Sequence, residues 1–142
     1  MRGPIAAAAM IIAALSAAAV GAQSATARPD GPFLLFFDWG KPDVTGDAAA
    51  VIDMAVAAYR QKSGDRLLIA GHTDRSGNAS YNRLASRRRA EAVRNELVKR
   101  GVPANAMSVV AYGEEQPIVP TEDGVREVQN RRVEITIEPP VR

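Results

Sequence analysis

A carboxylate, Asp74, an amide, Asn82, and several guanidinium groups fall close together along residues 72–89 of this 142-residue chain, and a further arginine pair follows near its C-terminus. The first stretch reads Gly71-His72-Thr73-Asp74-Arg75-Ser76-Gly77, then Tyr81-Asn82, then Arg87-Arg88-Arg89-Ala90; the later one reads Asn130-Arg131-Arg132-Val133-Glu134. A guanidinium is a planar two-pronged donor for a carboxylate, and a carboxylate accepts from an ammonium. Such groups at fixed spacing can therefore grip a small zwitterion, for instance an amino-acid head group.

Helical geometry sorts the three consecutive arginines. Stepping about 100° per residue from Asn82, Arg89 lies about 20° to one side and Val93 about 20° to the other. Ser86, Ala90 and Leu97 fall within about 80°, whereas Arg87 and Arg88 point about 140° and 120° away in opposite senses. Asn82 and Arg89 thus share the apolar stripe, and Arg87 and Arg88 flank it. On a solvated face, Arg87 with Glu91 and Glu96 with Arg100 are i,i+4 partners. An inward arginine needs an anion, because a lone buried charge is costly. Asp74 is the nearby carboxylate. Two readings follow: an internal Asp74–Arg89 brace, or a pair of charges left open for a ligand.

Other chemistry fits poorly. His72 is the sole histidine and the chain has no cysteine, so no HExxH-like or thiolate pattern exists for a metal; His72 reads as a strand-end hydrogen-bonding residue. Ser76, His72 and Asp74 lie too close along one strand end to form a catalytic triad, and no nucleophile-elbow sequence is present. Glu114 and Glu115 are adjacent and diverge, unlike a glycosidase pair. The basic residues lack interleaved aromatics, which argues against nucleic acid. No enzyme, cofactor or metal site is expected.

The elements that must carry these groups are legible. Phe33 to Phe37 is an apolar run of strand length, with Phe36 and Trp39 reading as packing residues. A helix is expected over 47–62, with Val51, Ile52, Ala55, Val56 and Tyr59 on one face. Arg66 to Ala70 makes a second strand, and a loop at 71–79 leads to a long helix over about 80–100, closed by Lys99, Arg100, Gly101 and Pro103. Met107 to Tyr112 and Arg132 to Ile137 are the last strands. The order is β-α-β-α-β-loop-β, an α/β (α+β) pattern with crossover-length helices. The 113–130 connection is long, and loops of that kind tend to be functional or mobile.

The N-terminus reads as an export leader. Arg2 precedes an uncharged run from Ile5 to Val20, and small-x-small sites allow a cut after Ala22, or alternatively after Ala27. The organisation expected is a signal peptide at 1–22, a linker at 23–31, one domain at 32–138 and a tail at 139–142. A retained anchor is the alternative, but the run is short and alanine-rich for a span of about 20 residues. Without cysteine there is no disulfide and no lipidated cysteine. The formal charge of +2 drops by one unit when Arg2 leaves, so the pI near 9.3 reflects balanced charges rather than a basic protein.

The Gly71–Gly77 stretch, the Asn82 and Arg89 spacing and the Asn130-Arg131-Arg132-Val133-Glu134 run together resemble the OmpA-like peptidoglycan-binding domain family over roughly residues 32–138. The resemblance implies a sandwich of two main helices on one face of a small mixed sheet. It implies non-catalytic binding of peptidoglycan of the meso-diaminopimelate type, in the periplasm and near the outer membrane. It also implies that Asp74 takes the ammonium of diaminopimelate and Arg89 its carboxylate, with Asn82 and Arg131 completing the site. One departure stands out: the family usually has Asn-x-x-Leu-Ser, whereas Leu84 comes one position early here and Ala85 takes the inward slot.

Overall fold

The computed structural model describes residues 31–61 and 65–140. The expected leader and most of the linker lie outside the described residues, as do Lys62 to Gly64 and the last two residues. Four strands and two long helices follow the expected order: β1 (Phe33–Phe36), α1 (Gly46–Tyr59), β2 (Arg66–His72), α2 (Ala79–Lys99), β3 (Met107–Gly113) and β4 (Arg132–Glu138). The sheet order is β1-β4-β2-β3. β2 and β3 run parallel, as a helical crossover requires, and β4 returns antiparallel between β1 and β2.

Both helices cover one sheet face. Alternate residues Phe33 and Leu35, Leu67 and Ile69, and Val133, Ile135 and Ile137 are buried there against Ile52, Ala55 and Val56 of α1 and Ala90, Val93 and Leu97 of α2. The continuous apolar run of β1 therefore behaves as a one-sided strand. Phe36 points away from the helices and is 42% exposed, and Trp39 is 50% exposed, so neither is the packing residue that the sequence suggested.

Local chemistry fixes the helix ends. Thr45 caps α1 by accepting from the Ala48 amide at 3.3 Å, and Asn78 caps α2 by accepting from the Tyr81 amide at 2.7 Å. α2 ends at Lys99 with Gly101 at φ +92°, the left-handed residue a helix stop favours. Arg100 ties the helices together, bonding Asp53 of α1 and Glu96 of α2 at 2.7 Å each. The Glu96 pair is one of the two i,i+4 contacts read from the sequence; Arg87 and Glu91 form none among the described residues.

The placement of α2 depends on Gly71. A Cβ there would lie 2.0 Å from the Ser86 carbonyl oxygen, so only glycine lets the helix backbone approach β2 this closely. Ser86 completes the junction: its hydroxyl accepts from the Gly113 amide at 3.0 Å and donates to the Arg83 carbonyl at 2.8 Å. The first residue of the Gly71–Gly77 stretch thus sets the distance between strand and helix, and the residues after it use that distance.

The long connection before β4 is held in place. Asn130 is fully buried; its amide oxygen accepts from the Ile118 and Val119 amides at 2.9 Å each, and its amide nitrogen donates to the Val119 carbonyl at 2.8 Å. Arg75 pairs with Glu114 and with Asp123, and Gly124 donates to the Arg75 carbonyl at 2.7 Å. These bonds bring Glu127 and Arg131 back over the end of β2.

Candidate functional site

A cavity of about 290 Å3 opens where β2 hands over to α2. Asp74, Asn82, Arg89 and Arg131, the four residues named from the sequence, all line it. They come from three places: the loop after β2, the inward stripe of α2, and the residue before β4. The α2 stripe is as the helical wheel requires, with Asn82, Ser86, Arg89, Ala90, Val93 and Leu97 buried and Arg87 and Arg88 exposed.

Pairing within the cavity differs from the sequence-based brace. Asp74 does not bond Arg89; its ion pair is with Arg131, whose Nη1 donates to Oδ2 at 2.9 Å. The Glu127 amide also donates to Oδ2, at 3.2 Å, while the Ser76 hydroxyl and amide donate to Oδ1 at 2.5 and 3.1 Å. Burial alone would raise the Asp74 carboxyl; the bonds from Ser76, Arg131 and Glu127 outweigh it and hold the group below its ordinary value. The reason for the different pairing is topological. β4 lies next to β2, so Arg131 arrives at the strand end where Asp74 sits.

Arg89 meets no carboxylate among the described residues. It donates to the Lys41 and Asp38 carbonyls at 3.3 and 3.4 Å, and its guanidinium lies 5.6 Å from the Phe37 ring centre. Burial, together with the neighbouring Arg131 charge, pulls its guanidinium below its ordinary value, with Asp74 opposing. A buried cation held by neutral groups beside an open cavity has the chemistry to pair with an anion.

Asn82 is a loop brace as well as a lining residue. Its amide nitrogen donates to the Asp74 and Gly77 carbonyls at 3.3 and 3.2 Å, fixing the turn that presents Asp74. Ala85 is half-buried and lines the cavity, while Leu84 is 46% exposed, so the early leucine leaves only a methyl group at that point of the wall.

Several lining residues were not singled out for the site. Thr73 is buried with its hydroxyl unpartnered, and it faces the same space. Trp39 stands at the rim; its indole N–H donates to the Ser76 hydroxyl at 3.1 Å, and the Arg126 guanidinium sits 3.7 Å above its ring. Tyr81 and Arg88 complete the α2 side. Tyr81 precedes Asn82 on the helix, and that adjacency was the available signal; nothing in the local pattern marks Trp39 or Thr73.

His72 points to the opposite sheet face. It is 1% exposed, stacks on Tyr112 with ring centres 5.3 Å apart, and lies 3.6 Å from Glu134 without a hydrogen bond at either ring nitrogen. The strand-end hydrogen-bonding role expected for it is not what the structure has. Burial and the Arg132 charge lower its pKa from 6.5 to about 4, against an opposing effect of Glu134.

The fold and the cavity together define a two-layer α/β domain with a charged cavity at one sheet end. A sequence model of the OmpA family matches residues 36–131, and the chain belongs to that family. An outer membrane protein of Gluconacetobacter diazotrophicus is 39% identical over 115 residues, covering 77% of this chain and 30% of that protein. The peptidoglycan-associated lipoprotein of Pseudomonas aeruginosa is 36% identical over 100 residues, covering 70% of this chain and 59% of that protein. The chain therefore spans less than two thirds of these relatives. Among solved structures, the peptidoglycan-associated lipoprotein of Burkholderia pseudomallei superposes with a TM-score of 0.68 at 30% identity, covering 74% of this chain and 89% of that one. The OmpA-like domain of FopA1 from Francisella tularensis, at 17% identity and a TM-score of 0.66 over 77% of this chain and 72% of that one, shares the fold.

Proposed function

We propose that this domain binds peptidoglycan without catalysis, through the diaminopimelate residue of the stem peptide, and so anchors its protein to the cell wall in the periplasm. The observation that carries the reading is Arg89, buried and without a carboxylate partner, beside Asp74 in one open cavity. The free end of meso-diaminopimelate bears one ammonium and one carboxylate on a single carbon. Arg89 takes the carboxylate in two-pronged fashion, and the Asp74 side supplies the counter-charge for the ammonium. Relatives named peptidoglycan-associated lipoprotein support the wall as the target.

Asp74 reaches the ammonium by exchange, because four protein donors already use its acceptor positions. The Ser76 hydroxyl is the donor free to rotate, turning from Asp74 so that the ammonium replaces it. Arg131 and the Glu127 amide keep the carboxylate ionised and oriented. A soluble fragment would bind with micromolar to millimolar affinity, on the order of 4–8 kcal/mol, and a repeating polymer raises retention through avidity. The cavity, near the low end of ligand pockets at about 300 Å3, suits an amino-acid end better than a glycan strand.

Purified sacculi of the diaminopimelate type should retain the protein, and Arg89→Ala should abolish retention while the circular dichroism spectrum persists. Undiminished retention of that variant would sink the reading. Release of soluble muropeptides by the purified protein would instead mark a cell-wall enzyme. The fully bonded Asp74 favours one second reading, in which the Asp74–Arg131 pair only braces the pocket. Asp74→Asn then keeps retention and loses stability, whereas loss of both supports the ammonium contact. We also propose that the leader is removed on export, which N-terminal sequencing of the mature protein checks.

A further inference from the structure

Charge around the cavity does not balance. Four basic residues, Lys41, Arg88, Arg89 and Arg131, line it against the single carboxylate of Asp74, and Arg131 already pairs with that carboxylate. Arg89 has only backbone carbonyls and an aromatic ring. Arg88 is exposed at the wall and engages no acidic side chain among the described residues. A zwitterionic amino-acid end leaves this surplus in place, since its ammonium cancels the charge its carboxylate brings. The surplus calls for a second anionic group on the ligand.

The wall offers a position for it. Ala85 lies three residues after Asn82 and three before Arg88, and all three line the cavity. Positions so spaced are neighbours on a helix face, with Cβ atoms about 5–6 Å apart. Ala85 contributes only a methyl group, so the path from Asn82 to Arg88 is not blocked by a long side chain.

Resting on the diaminopimelate reading above, we propose that Arg88 binds a second carboxylate of the stem peptide and makes the domain selective for acidic stems over amidated or capped ones. Two sources carry that chemistry. One is the α-carboxylate of the γ-linked glutamate that precedes diaminopimelate. The other is the second carboxylate of diaminopimelate itself, free where the stem ends at that residue.

The test uses Trp39, the only tryptophan in the chain and a lining residue, as a fluorescence reporter of occupancy. Four synthetic peptides are titrated: Ala-γ-Glu-diaminopimelate-alaninamide, whose blocked C-terminus adds no carboxylate of its own, its glutamate-amidated form, and both without the terminal alanine. At least one free second carboxylate should tighten binding to wild type by about three- to tenfold, as expected for a partly solvated charge-assisted contact. Whether amidation or the terminal alanine removes the gain identifies the source. Arg88→Gln should erase the discrimination while still binding the weaker peptides, and Arg87→Gln, exposed and off the cavity, should keep it. Equal affinity of wild type for all four peptides, or discrimination surviving in Arg88→Gln, overturns the proposal alone. Failure of wild type to bind any of them overturns the diaminopimelate reading and this proposal with it.

Discussion

Asp74 and Arg89 face the same cavity in opposite states, one saturated with donors and the other short of an anion. Their substitutions should therefore part in direction. Arg89→Met replaces a desolvated charge by an apolar chain of similar reach, so thermal denaturation of the free protein should show unchanged or raised stability although wall binding is lost. Asp74→Ala strips the partner from the largely buried Arg131, and urea denaturation should show a loss of about 3–5 kcal/mol. If Arg89→Met is the more destabilising of the two, the account of Arg89 as a poised, unpaired cation is wrong. The identities of both residues and the inward direction of Arg89 were legible in the sequence, because side-chain charge and helical periodicity are local properties. Their pairing was not. Arg131 lies 57 positions beyond Asp74, and no periodicity reports which of two arginines a sheet will deliver to a carboxylate.

At the level of elements, two contacts position the site and each has a measurable consequence. Gly71→Ala would set a methyl group against the Ser86 backbone, which no rotamer change relieves. The helix must move off the sheet, and a stability loss on the order of 3 kcal/mol, or failure to fold, is expected in equilibrium unfolding. Asn130→Ala leaves two buried amides and one carbonyl of the 118–119 turn without partners. Unsatisfied groups of this kind cost about 1–3 kcal/mol each when they stay dry, so hydrogen exchange around Ile118 and Val119 should accelerate. α2 was legible before folding, because its buried stripe and its stop are written in local residue types. β1 was misjudged, because an unbroken apolar run does not say whether one sheet face or two will be covered. The same ambiguity hid Trp39: only a bare outer face and the neighbouring Ser76 turn make it a rim residue.

Across the whole molecule, the two sheet faces carry different chemistry. The helix side holds the apolar core, and the opposite side holds His72 beside Tyr112, Arg132 and Glu134, with Arg132 donating to the Gln116 carbonyl at 2.9 Å. His72 titrates near 6.5 in the unfolded chain and about 4 in the fold, so between those values the unfolded state binds more protons. Stability should be undiminished by this group above pH 6.5 and decline as pH falls toward 4, with a limiting slope of about 1.4 kcal/mol per pH unit. His72→Phe keeps a ring against Tyr112 and should flatten that decline in pH-dependent unfolding. The depressed Asp74 carboxyl acts lower down: its contribution is present above its unfolded value of 3.8 and is lost as pH falls through its folded value.

The amino-acid sequence by itself determined the order of elements, the inward stripe of α2, the set of charged groups at the strand end and the family resemblance. All of these rest on residue type and short-range spacing, which the chain carries before it folds. Tertiary structure alone decided that Asp74 pairs with Arg131, that Arg89 is left for an anion, and that Trp39, Thr73 and Arg88 line the cavity. Those outcomes depend on β4 entering between β1 and β2 and on α2 approaching Gly71 at backbone contact. Long-range pairing of strands is a property of the packed sheet, and no local pattern in the chain encodes it.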